Sequence, residues 1–169
     1  MPSATLAAAP ATATAALSVW NIDPAHSVAE FKVRHMMISH VKGTFSGLSG
    51  VLKLDETDYT RSTVEVSIPA DSVSTVDDNL DAHLKNADFF DVEKFPSLTF
   101  KSTSIRSTGG RDYAVTGDLA IRGVTKSVTL SVNDVSAPSK DPWGQSAHRP
   151  FRLHENQSQG FRVRVECTA

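Results

Sequence analysis

Apolar and polar residues alternate along most of the chain, and the alternation divides it into short strands. Ala29, Phe31 and Val33 alternate with Glu30, Lys32 and Arg34 over residues 27–35, the period of a strand with one buried face. Before it, residues 19–22 form a short apolar piece, and Asp23, Pro24, Ala25 and His26 supply turn chemistry. Residues 41–45, ending at Phe45, and 50–54 read as two strands joined around Gly47 and Gly50, after a Met36-Met37-Ile38 cluster. Val64, Val66 and Ile68 alternate with Glu65 and Ser67 as far as Pro69. A strand over 97–104 places Leu98 and Phe100 on one face and Thr99 and Lys101 on the other; Ile105 carries it to a turn at Gly109 and Gly110. Tyr113, Val115, Leu119 and Ile121 make another such face, interrupted by Gly117. A turn at Arg122, Gly123 and Val124 leads to Val128, Leu130 and Val132.

One stretch breaks this period of two. Leu80, Leu84 and Ala87 fall at i, i+4 and i+7, and Asp77 and Asp78 suit the positive end of a helix dipole, so a helix is expected over about 77–88. Phe89, Phe90, Val92 and Phe95 then form a dense apolar plug, and Pro96 blocks further helix and starts the next strand. Many short strands with glycine-rich turns and a single helix predict an all-β fold, a closed or nearly closed antiparallel barrel with the helix as lid or plug.

Composition narrows the function classes. At 169 residues the chain suits one domain. A net charge of −2 without blocks of like charge argues against nucleic acid as a partner. Cys167 is the only cysteine, which excludes an intramolecular disulfide and a cysteine-based metal knuckle. No run is long and apolar enough to span a bilayer as a helix. Residues 1–18 are rich in Ala and Thr, carry Pro2 and Pro10, and hold no Lys or Arg. They read as a disordered tail ahead of a domain over 19–169, and the location expected is cytoplasmic. A mis-assigned start that cuts into a real signal peptide, giving a periplasmic or secreted protein, is the alternative.

No catalytic constellation stands out. His35 and His40 are close, but an odd spacing on alternating strands sends them to opposite faces, and no carboxylate stands at a useful offset, so no metal is expected. His26 reads as a turn residue and His83 as a helix flank. Asp88, Asp91 and Glu93 read as solvated charge around the plug rather than an acid–base pair. Nucleophile elbow, phosphate loop and dinucleotide fingerprint are missing, and the glycine-rich GTFSGLSG precedes a strand rather than a helix. What the pattern does supply is apolar interior. An eight-stranded barrel can be filled by its own side chains or can hold one small ligand. On pattern alone, Ala29, Phe31, Val33, Leu98, Phe100, Val115 and Leu119 are better read as filling a solid core than as lining a cavity.

The segments IDPAHSVAEFKVRHM, KGTFSGLSGVLKLD, DAHLKNADFFDVEKFPSLTFKST, VTGDLAIRGVTKSVTL and KDPWG, in order between Trp20 and Gly144, closely resemble the YceI-like family. The resemblance implies a lipocalin-like antiparallel β-barrel whose apolar pore holds a polyisoprenoid chain, in some members a quinone tail. It implies binding, transport or storage of such a lipid rather than catalysis, and it tips the balance from solid core to cavity. Ala29, Phe31, Val33, Phe45, Phe89, Phe90, Leu98, Phe100, Val115 and Leu119 then become the candidate lining. The lipid is a ligand and no cofactor is expected; a homodimer is left open. An enzyme acting on a lipid-like substrate with Asp88, Asp91 or His83 at the mouth, and a filled-core stress-response protein, are the alternatives.

The resemblance stops after Gly144. The family continues with Gly-Phe-Ser-Ala, then Thr-x-Ile-Asn-Arg-x-Asp-Phe-Gly and a Trp, whereas residues 145–169 are poorly patterned until Phe161. Written as degenerate codons and read from the second base, residues 154–169 allow Thr-Lys-Ile-Asn-Arg-Lys-Asp-Phe-Gly-Phe-Glu-Trp-Asn-Ala-Leu, which restores that pattern. A one-base frameshift near Gln145 is therefore expected. It would cost the barrel its closing strands and leave exposed ladder edges and an open mouth. The competing expectation is a diverged tail that pairs residues 160–167 as a strand.

Overall fold

The computed structural model describes the backbone of residues 17–35, 39–133, 139–140, 147–155 and 161–168, and side chains within 17–32 and 41–132. Eleven strands occur among these residues: β1 (Leu17–Ile22), β2 (Val28–His35), β3 (Ser39–Phe45), β4 (Ser49–Asp55), β5 (Thr63–Pro69), β6 (Ser97–Gly109), β7 (Asp112–Ile121), β8 (Val124–Asn133), β9 (Ser139–Lys140), β10 (Ala147–Glu155) and β11 (Phe161–Thr168). One α-helix, α1 (Asp78–Lys85), falls between β5 and β6.

All the strand pairings are antiparallel, in the order β3-β2-β11-β1-β4-β5-β6-β7-β8-β10-β9. A further ladder joins β10 to β11, His148 opposite Thr168 through His154 opposite Arg162, and links the two flanks of this order as a barrel requires. The order ends at β3 on one side and β9 on the other. Register follows the apolar alternation because a slip of one residue would turn every inward side chain outward. Val66 thus stands opposite Phe100, Phe100 opposite Leu119, and Val115 opposite Leu130.

The alternation alone puts Ile105 on the wrong face, five residues after Phe100. A register shift between Ser102 and Ser104 resolves this. Thr103 is the extra residue, its hydroxyl donates to the Thr116 carbonyl at 3.2 Å, and Ile105 returns to the inner face opposite Val115.

One expectation is corrected. The helix is shorter than 77–88: Asp77 is its cap, accepting from the Asn79 and Leu80 amides, and Asn86 closes it. The Asn86 N–H bonds to the His83 carbonyl, while the amides of Phe90 and Val92 turn back onto the Leu84 and Lys85 carbonyls and wind the plug tightly against the helix end. The sheet order ends at β3 and β9, in keeping with the expectation of an incomplete barrel, and the described parts of residues 145–169 supply two strands within it. Their strand β10 pairs with β8, and β11 pairs with β1 and β2. The physical reason is local: Phe161, Val163, Val165 and Cys167 alternate with Arg162, Arg164 and Glu166, which suits a two-sided strand. Pro150, which has no N–H to give, falls between the part of β10 that pairs with β9 and the part that pairs with β8. Residues 1–16 and the Met36-Met37-Ile38 cluster lie outside the described residues.

Candidate functional site

The inner faces of the strands converge on one apolar cluster. Trp20 and Ile22 come from β1, Ala29 from β2, Phe45 from β3, Leu52 and Leu54 from β4, and Val64, Val66 and Ile68 from β5. Leu98 and Phe100 of β6, Val115 of β7, and Leu130 and Val132 of β8 complete the strands' share, and Leu48, Ala70 and Val73 join from the links between strands. The buried polar side chains among the described residues are Ser27, Asp55, Ser62 and Asp91, and none lies inside a strand's inward run. Ser27 stands at the start of β2, Asp55 and Ser62 bracket the β4–β5 link, and Asp91 belongs to the plug.

The candidate lining residues separate into three groups. Ala29, Phe45, Leu98, Phe100 and Val115 are buried in the cluster, and Phe31, Phe90 and Leu119 pack against it half-buried. Val33 lies in β2 opposite Val41. Phe89 stands apart: it is 46% exposed, and its ring meets His83 with centroids 4.8 Å apart. The plug therefore reaches the cluster through Phe90 and Val92, while Phe89 faces solvent.

Aromatic rings organise both ends. At the α1 end Phe31, Phe45 and Phe90 form a chain, Phe31 to Phe45 at 5.4 Å and Phe45 to Phe90 edge-on at 5.5 Å, geometries that favour ring pairs. Within the wall, Gly117 gives Phe100 its seat. A Cβ at position 117 would come 2.5 Å from the Phe100 ring and 2.5 Å from the Lys101 carbonyl. At the far end Tyr59, in a 3-10 turn (Tyr59–Arg61), meets Tyr113 of β7 at 5.7 Å.

Asp55 braces that turn. Its carboxylate accepts from the Thr57 hydroxyl and from the amides of Thr57 and Asp58, and its own amide donates to the Ser62 hydroxyl. The Thr57 hydroxyl chiefly, with these amides, holds the Asp55 carboxyl below the ordinary carboxylate range, although burial opposes the shift. The pattern of strands gave no hint of this network, but the Asp-x-Thr-Asp spacing of an Asx-type turn carries its signal.

The titratable groups near α1 have separate partners. His83 lies on Phe89 and the Asp91 carboxylate is 3.7 Å from Lys94, while at Asp88 it is the backbone carbonyl that accepts from Arg122. His26 is paired with Asp23 at 2.7 Å on the β1–β2 turn. No three of the His, Cys, Asp and Glu residues among those described gather as a metal site. The side chains of His35 and His40 lie outside the described ones. What the described side chains offer chemically is an apolar interior.

The model of the YceI-like domain matches residues 20–161. A UPF0312 protein of Vibrio parahaemolyticus is 38% identical over 137 residues, 81% of this chain and 72% of that protein. Protein YceI of Salmonella newport is 36% identical over 135 residues, 79% of this chain and 70% of that protein. Among solved structures, a Campylobacter jejuni YCEI protein superposes with a TM-score of 0.68 at 26% identity, over 82% of this chain and 91% of that one. BcnA of Burkholderia cenocepacia shares the fold with a TM-score of 0.68 at 22% identity, over 88% of this chain and 99% of that one. A domain from Saccharophagus degradans, described as polyisoprenoid binding, shares the fold more distantly, with a TM-score of 0.57 at 13% identity over 88% and 96%.

Proposed function

Because the chain belongs to the YceI-like family, we propose that it binds a long polyisoprenoid or an isoprenoid-quinone-like lipid in its apolar barrel interior, as a carrier or store and not as an enzyme. One observation carries this reading. Among the described residues the inward run from Trp20 to Val132 is apolar on eight strands, and the charged buried groups, Asp55 and Asp91, sit at the β4–β5 link and in the plug. Such a lining gains free energy from each methyl and methylene it removes from water, and among the described residues it offers no group to polarise a bond. The description of the Saccharophagus degradans neighbour as polyisoprenoid binding supports the same ligand class.

The test is native mass spectrometry with lipid extraction on the protein purified from its own host. A near-stoichiometric isoprenoid is expected, and Leu130→Glu, which sets a charge on the inner face, is expected to abolish it. An intact, folded, ligand-free protein turns the reading to a filled core.

A further inference from the structure

Among the described residues, two that are not glycine have left-handed backbones, Asp91 at φ 49° and Arg122 at φ 50°. Both stand where the plug meets the β7–β8 hairpin. Asp adopts this conformation readily, but it is uncommon for arginine and persists where the surroundings enforce it. Here the Arg122 guanidinium donates to the Asp88 carbonyl at 3.2 Å and to the Ala87 carbonyl. The next residue, Gly123, is left-handed too, and the Phe95 ring comes to 2.9 Å from where its Cβ would stand. The hairpin tip thus clamps the plug at two points.

The segment it clamps is otherwise lightly held. Helix α1 has no fully buried residue, its Leu84 packing half-buried against the cluster, Val76 before it is fully exposed, and Phe89 after it is about half exposed. Both ends of the segment are anchored. Ser74 bridges to Thr44, the Asp81 carboxylate takes the Thr75 amide and hydroxyl, and the Pro96 carbonyl accepts from Ala70. Between the anchors, Leu84, Phe90 and Val92 reach inward and pack half-buried against the cluster, the Phe90 ring on Phe45. The opposite end of the barrel is built differently, with the Tyr59 turn braced by Asp55 and Ser62.

We propose that residues 78–95 are a gate at this end of the barrel, latched by Arg122, through which an apolar chain enters and leaves. The passage of lipid rests on the function proposed above; the latch itself does not. Arg122 is a positioning residue: it holds Phe90 over the interior without touching the ligand.

Hydrogen exchange on the full chain, wild type and Arg122→Ala, reads the latch without a ligand. The plug amides of Phe90, Asp91 and Phe95, bonded to Leu84, Asn86 and Asp91, are expected to exchange about tenfold faster in the variant, with β6 and β7 amides unchanged. Stopped-flow loading with dansyl-labelled geranylgeraniol is expected to show uptake and release both faster by about tenfold, with Kd nearly constant. Arg122→Gly, which suits the left-handed backbone, serves if the alanine variant fails to fold, and the same changes are expected. Unchanged plug exchange and loading rates in both variants overturn the gate. A wild-type protein that takes up no probe overturns the lipid reading, and exchange then still decides the latch.

Discussion

Asp55 gives the molecule a pH dependence with a definite sign. Its folded pKa lies below its unfolded value of about 3.9, so its stabilisation is fully present above about pH 4 and is lost as pH falls through the folded value. Asp23, Asp58 and Asp81 are shifted the same way, by His26, Thr60 and Thr75 in turn. Melting temperatures followed from neutral to acid pH are expected to drop in wild type below about pH 4 and to drop less in Asp55→Asn, whose amide oxygen keeps one acceptor without titrating. An identical acid limb in the two proteins would remove Asp55 from the account. Gly117 makes a steric prediction instead. Alanine there collides with the Lys101 carbonyl as well as with the Phe100 ring, and the backbone cannot turn aside as a side chain could. A loss of about 1–3 kcal/mol is expected in urea unfolding. The sequence marks Gly117 as a break in an alternating strand, yet only the register with β6 shows what fills the gap.

At the scale of elements, β6 illustrates how a correct period can mislead. Leu98, Phe100 and Ile105 are all inner-face residues, but their spacing is even once and then odd. Removing Thr103 restores regular pairing and keeps all three inward, so that deletion is expected to cost only about 1 kcal/mol, the order of the lost bond to Thr116. Removing Thr99 makes Leu98 and Phe100 consecutive, forces one of them outward, and is expected to cost about 2–5 kcal/mol. Equal melting temperatures for the two deletions would contradict the bulge. The helix shows the opposite case. Leu80, Leu84 and Ala87 carry a helical period through residue 87, but Asn86 ends α1 because the Phe90 and Val92 amides claim the Leu84 and Lys85 carbonyls. Periodicity reports which face is apolar; it does not report where a chain must turn to deliver Phe90 to Phe45.

For the whole molecule, the tail is where alternative readings of the chain diverge. Strands β10 and β11 pair with β8, β1 and β2 using residues as they stand. A chain rewritten over 145–169 in the alternative frame is expected to melt higher, since it regains aromatic and apolar residues at the closing strands. Equal melting temperatures, or a resequenced gene whose codons cannot encode the family motif, would establish the present tail as the native one.

The barrel class, the strand faces, the single helix and the apolar plug were legible because each is a local pattern: periods of two and of about 3.6, punctuated by glycine and proline. The family was legible for the same reason, since its motifs are contiguous runs. The helix end at Asn86, the bulge at Thr103, the solvent-facing Phe89 and the Arg122 clamp were decided by the tertiary structure. Each depends on partners distant along the chain, and Arg122 and Ala87 meet only once α1 and the β7–β8 hairpin are brought to the same end of the barrel.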